Sequence, residues 1–313
     1  MVTKIIMSTW CGILSLQAIV GNSLVLWLIA KNKSLRTNAN LFITSLAVAD
    51  LLVGLIIAPV WIIFRCSQSN KDKYEHKYAF SIDYLWIHTT VATTFNLCCV
   101  TLDRHIAIFH PLRYQSFLTK KRCYVAIALV WLMSVVLPCS RFIVMKSSAI
   151  VLLWMSFTVV TVLIPVMIIT FSSILILKAA ARQCKKLIIA NNFCLEAIKR
   201  SKKNYKATKT VCIVVGLFLV CWMPCLVTSR SGLWAPAFVN YFTHCGLFCY
   251  YYTVWIYVEV TAFSSSGINP WVYCLRHDEF YKTLTATFRP RRRQISLDQN
   301  RFHQTKSCVQ RQR

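Results

Sequence analysis

Seven apolar segments run through this chain, at 5–30, 40–64, 78–103, 123–145, 149–177, 210–229 and 250–274. A helix needs about 20 apolar residues to cross the ~30 Å hydrocarbon core of a bilayer. In lipid, only helices and closed barrels satisfy their own backbone hydrogen bonds. The period-two alternation of a membrane barrel is absent, so an all-α bundle of seven transmembrane helices is predicted. Five segments also carry a polar or proline residue at membrane depth. These are Asn22, Asp50, Asp103-Arg104-His105, Cys221-Trp222-Met223-Pro224 and Asn269-Pro270-Trp271-Val272-Tyr273. Such residues are costly in a membrane and are kept where they face the bundle interior and do work.

The rest of the composition agrees. The 313 residues are 57% hydrophobic and 15% charged, against about 25% charged in soluble domains. The net charge of +26 suggests nucleic acid until its placement is read. Lys31, Lys33 and Arg36 follow the first segment, and Arg113, Lys120, Lys121 and Arg122 follow the third. The 178–209 loop and the chain from Arg276 hold about ten basic residues each. Basic residues stay on the cytoplasmic side, so no nucleic-acid partner is expected. The N-terminus is expected outside and the C-terminus inside, with the first helix acting as its own insertion signal. Residues 1–288 form the membrane unit and 289–313 a basic cytoplasmic tail.

The 15 cysteines lie mostly within apolar segments, where Cys behaves as a small hydrophobe. No zinc-type spacing is present. Cys245 and Cys249 are the best candidates for a disulfide on the outer side, with free thiols at helix ends as the alternative. After Tyr273, the residues Phe280, Leu284 and Phe288 form one apolar stripe. Arg289 and Arg291 to Arg293 follow, suited to anionic lipid. Cys308 is a distant candidate for palmitoylation.

Together these residues resemble the rhodopsin-like (class A) G-protein-coupled receptors, from about Gly21 to Phe288. Gly21-Asn22 is similar to the first-helix GN motif, and Leu46-Ala47-Val48-Ala49-Asp50 to the LAxAD motif. Asp103-Arg104-His105 is a DRY variant. Trp131 and Pro165 match the fourth-helix Trp and fifth-helix Pro. Cys221-Trp222-Met223-Pro224 matches CWxP, and Asn269-Pro270 with Tyr273 matches NPxxY. The resemblance implies a plasma-membrane receptor, not an enzyme. Its partners would be an extracellular ligand, a heterotrimeric G-protein, membrane lipids and, as a further candidate, arrestin. It also implies roles. Asn22, Asp50, Thr93, Ser266 and Asn269 would form a polar cluster holding a sodium ion at Asp50, with a static hydrogen-bond network as the alternative. Oxygen ligands suit such a hard cation. No other cofactor is implied. Asp103 would hold Arg104 at rest, and Phe218, Trp222 and Pro224 would carry ligand contact to a helix kink. Pro270 and Tyr273 complete the switch.

Several positions depart from the pattern. The sixth-helix acid expected 20 residues before Pro224 is Asn204, and the fifth-helix Tyr expected eight after Pro165 is Ser173. Trp86 stands 18 residues before Arg104, where amine receptors place an Asp. Phe263 stands where a retinal-binding opsin needs Lys. Ala79 replaces the third-helix Cys of the usual loop disulfide. The short loop without that bridge resembles melanocortin, cannabinoid and lysophospholipid receptors, while the Leu46–Asp50 stretch is amine-receptor-like. The chain is therefore similar to a divergent member. Glu259 and Asp83 are the two acids expected at the pocket, favouring a cationic small molecule or basic peptide. Trp86, Thr158, Thr161, Trp222 and Trp255 are its expected walls. The alternatives are a lipid or nucleoside receptor of the same class, or a multi-pass transporter.

Overall fold

The computed structural model describes residues 2–66, 74–143, 156–189, 205–206, 209–224, 246–276 and 278–288. The described secondary structure is helical. The first span is Val2–Lys31. The second runs through Asn38–Leu52, a π turn at Val53–Ile57 and Ala58–Cys66. The third is Tyr74–Phe109 and the fourth Lys120–Ile143. The fifth joins a π turn at Thr158–Leu163 to Ile164–Ile189. The sixth is described over Lys209–Pro224 and the seventh is Gly246–Arg276. A short helix, Asp278–Phe288, follows.

Five of the described helices are long and apolar enough to cross a membrane. Their outward surface is apolar too: Leu16, Met167 and Phe171 are each more than 60% exposed. That surface suits lipid and not water. The third helix continues past the predicted end at 103 to Phe109, so Arg104 lies within helix rather than at its tip. The fifth reaches Ile189, so the first part of the 178–209 loop is helical; residues 190–204, including Asn204, lie outside the described residues. Cys249, just before the predicted start of the seventh span at 250, is already helical, because that helix begins at Gly246. Its side chain, Cys245, Cys308, the tail 289–313 and the side chains of Asp83 and Trp255 lie outside the described residues.

Both π turns come just before a proline, Pro59 and Pro165. Proline lacks an N–H, and its ring crowds the carbonyl four residues earlier. Widening the preceding turn absorbs that misfit. In the second span the Ser15 hydroxyl donates to the Gly54 carbonyl at 2.7 Å. Gly21 sits close against the seventh helix: a Cβ there would fall 2.5 Å from the Pro270 ring. The first and seventh helices can therefore meet closely at the level of the Asn269-Pro270 pair.

The first turn between helices is stitched by side chains. Thr37 caps the second helix, accepting from the Asn40 N–H at 3.3 Å. Asn40 Nδ2 and Asn32 Nδ2 donate to the Leu35 and Leu28 carbonyls at 2.7 and 2.8 Å. The main core gathers Leu28, Leu46, Leu97, Phe218, Trp222, Tyr273 and, from the short last helix, Phe280. A second cluster nearer the outer end joins Cys11, Leu14, Trp61, Ile256 and Phe263.

Candidate functional site

Three polar or aromatic constellations lie along the bundle axis. The central one is built on Asp50, which is 0% exposed. The Ser266 hydroxyl donates to Asp50 Oδ1 at 2.7 Å and Asn269 Nδ2 to Oδ2 at 2.9 Å. Asn22 Nδ2 donates to the Ala18 and Ser266 carbonyls at 2.8 and 3.2 Å. Four of the five residues predicted for this cluster are thus linked directly. Thr93 is buried nearby and lines a small cavity of about 10 Å³ together with Ser266, Trp86 and Trp222. That volume is near the least that admits one water.

Three buried oxygens here, Asn22 Oδ1, Thr93 Oγ1 and Asn269 Oδ1, have no hydrogen-bond partner among the described residues. With one carboxylate beside them they form an all-oxygen, singly charged donor set. Such a set fits a hard monovalent cation. Among the described residues no three His, Cys, Asp or Glu side chains converge as a metal-binding group.

The inner constellation holds Arg104. Asp103 is only 2% exposed. Arg104 Nε donates to Asp103 Oδ2 at 2.8 Å, and Nη2 reaches the same oxygen. The other oxygen accepts from the Tyr114 hydroxyl at 2.7 Å. Tyr114 sits in the connection after the third helix, on the short helix Tyr114–Phe117. Burial, and then the Asp103 carboxylate, push its phenol above the ordinary tyrosine range, so it stays a donor at neutral pH. Tyr114 was not expected from the sequence. The only signal was its place in the Pro111-Leu112-Arg113-Tyr114 stretch directly after the third span. His105 stacks on Phe109, with ring centroids 4.5 Å apart. The hydroxyls of Ser173 and Tyr273 are buried without hydrogen-bond partners, so the described geometry pairs neither.

The outer constellation is aromatic. Trp61 and Phe263 meet edge to face at 6.2 Å, Phe263 and Trp86 at 5.9 Å. Trp86 reaches Trp222 at 5.9 Å, and Trp222 stacks obliquely on Phe218 at 5.5 Å. All four separations lie in the range where ring pairs attract beyond simple burial. At the top of this ladder Glu259 is 3% exposed and accepts from Trp61 Nε1 at 2.5 Å. The sequence placed Glu259 inward; Trp61 as its donor was not foreseen, since that pairing is made only across helices. Thr161 is buried and its hydroxyl turns back to the Phe157 carbonyl at 2.7 Å. Thr158 is half-buried in the same π turn.

The sequence family described as 7 transmembrane receptor (rhodopsin family) matches residues 21–273. Individual relatives are more distant. Octopamine receptor 1 of Lymnaea stagnalis is 38% identical over 128 residues, 40% of this chain and 19% of that protein. The histamine H2 receptor of Cavia porcellus is 28% identical over 246 residues, covering 71% of this chain and 65% of that one. The adenosine receptor A2a of Canis lupus familiaris is 26% identical over 302 residues, 88% of this chain and 70% of that one. The chain thus spans less than two thirds of the length of the first two.

Proposed function

The chain belongs to the rhodopsin family of seven-transmembrane receptors, and from that premise we propose that it couples an extracellular cationic ligand to nucleotide exchange on a heterotrimeric G-protein. The observation that carries this reading is the hold on Arg104. Its guanidinium is tied to a buried carboxylate that Tyr114 also grips. A cation so placed at the inner end of the third helix is a group to be released, not a group that packs the core. Pro224, two residues beyond Trp222 toward the outer side, would supply the motion: proline breaks the helical ladder and lets the inner half swing. Released, Arg104 and the basic 178–209 segment face the G-protein. This requires the N-terminus outside, the orientation that the basic loops favour.

The outer end supports the ligand's charge. A buried carboxylate bonded to the indole of Trp61, which itself meets the ring of Phe263, combines the two features that recognise ammonium or guanidinium groups. One is a charge-assisted hydrogen bond, the other a π face. Amines and basic peptides are therefore favoured over nucleosides and lipids. Asp83, the second acid expected from the sequence, is proposed to favour the same ligand charge. Sodium is proposed at Asp50, held also by Asn22, Thr93 and Asn269. When bound it supplies a positive charge that offsets the buried carboxylate.

The decisive test is Arg104→Ala. Agonist-driven exchange should fall to background while surface expression and ligand binding remain. Full retained coupling would overturn the assignment. The absence of a sixth-helix acid at Asn204 removes one restraint on the resting state. Ligand-free exchange should be measurable and should fall several-fold in Asn204→Glu, since about 1.4 kcal/mol changes a two-state ratio tenfold. A wild-type receptor that is silent until agonist is added would refute this second point.

A further inference from the structure

Trp86 occupies an unusual place in the ring ladder. It packs against both core clusters, so it joins the outer cluster of the first, second and seventh helices to the main core around Trp222. Its indole lies 5.9 Å from Phe263 on one side and 5.9 Å from Trp222 on the other. Trp222 Nε1 is buried with no hydrogen-bond partner among the described residues. No polar contact therefore fixes this ring; its neighbours Phe218 and Trp86 do. Beneath Trp86 only about 10 Å³ is left open, down to Thr93 and Ser266. There is no room for a ligand group between Trp86 and Trp222.

We propose that Trp86 is a built-in occupant of the bundle, an internal aromatic ligand that holds Trp222 in the position where Arg104 is tied to Asp103. An external ligand then acts on Trp222 through Trp86 and not by touching it. The proposal rests on the receptor reading above and adds to it a restraint that the chain supplies to itself. Its physical basis is that ring pairs at these distances attract beyond their buried area. Removing one member both weakens the resting position and leaves an apolar space of indole size. Apolar cavities of that kind stay dry and take up small aromatic molecules.

The test uses the full chain in membranes with purified heterotrimeric G-protein, and free indole as the probe. Trp86→Ala should raise ligand-free exchange by about three- to tenfold, the response of a two-state equilibrium to the loss of one such contact. Millimolar indole should bring that exchange back toward the wild-type level and leave the wild type unaffected. Trp86→Phe should fall between. In detergent, indole should raise the unfolding temperature of Trp86→Ala and not that of the wild type. If Trp86→Ala is not recovered folded, Trp86→Leu carries the same measurements. A Trp86 variant whose exchange stays at or below the wild-type level, or does not respond to indole, overturns the proposal and leaves the receptor reading standing. A wild type without exchange under any condition overturns the receptor reading. In that case the indole-induced shift in unfolding temperature still decides whether Trp86 fills a site, and its absence refutes that.

Discussion

Asp50 and Glu259 carry the same charge at nearly the same burial, 0% and 3% exposed, yet the molecule treats them differently. Asp50 stands on the second helix and accepts from Ser266 and Asn269 of the seventh. Glu259 stands on the seventh and accepts from Trp61 of the second. The two helices thus exchange acids at two levels. The levels are about 16 Å apart, since Asp50 and Trp61 are separated by 11 residues at 1.5 Å each. At the inner level the neighbours are hydroxyls and amides, and both carboxylate oxygens are engaged by neutral donors. At the outer level the described donor is the indole N–H of Trp61. Burying a carboxylate is costly in either place. On the reading proposed above, the polar donors suit Asp50 to the frame and to a bound cation, and the indole donor suits Glu259 to ligand recognition. Charge and depth are alike at the two sites; what differs is the kind of group that donates to each carboxylate.

Substitutions at the two levels should separate these roles. The largest effect is expected at Asp50. Asp50→Ala strands the buried Ser266 hydroxyl and Asn269 amide and should destabilise the receptor by about 2–5 kcal/mol, read by thermal unfolding in detergent. Asp50→Asn should cost less. It should also abolish the difference between unfolding in sodium and in potassium chloride; a retained difference would place the ion elsewhere. Glu259→Gln should change stability by no more than about 1 kcal/mol, because an amide oxygen still accepts from Trp61. It should lower the potency of a cationic agonist by about ten- to a hundredfold, or about 1.4–2.8 kcal/mol. An anionic agonist, or unchanged potency, would erase the distinction between the two acids. The smallest effects come from removing one neutral donor at each level. Ser266→Ala and Trp61→Phe should each cost about 1 kcal/mol of stability. Only Trp61→Phe should also shift agonist potency, by about threefold.

Much of the frame was legible in the chain. Asp50, Asn22 and Asn269 announce themselves because an amide or carboxylate in an apolar run has few acceptable explanations. Asp103-Arg104 and the prolines at 165, 224 and 270 are readable for the same reason. Helix ends were less so: the third helix runs on to Phe109 because nothing in Ile106-Ala107-Ile108-Phe109 breaks it, and Pro111 does. The π turns ahead of Pro59 and Pro165 were missed. Their cause is local, but a proline can kink, end or widen a helix, and the choice depends on which neighbour satisfies the spare carbonyl, as Ser15 does for Gly54.

What the sequence determined by itself is the set of helices, the family and the polar groups that must face inward, since lipid penalises each misplaced charge or backbone group by several kcal/mol. That penalty is large enough to show residue by residue. The tertiary structure alone decided the pairings: Trp61 with Glu259, Tyr114 with Asp103, and Trp86 between Phe263 and Trp222. Each joins residues on different elements through a contact worth only about 1 kcal/mol. Such contacts leave no periodic trace in a single chain; they follow from which helix faces are already packed together, as where Gly21 lets the first helix close on Pro270.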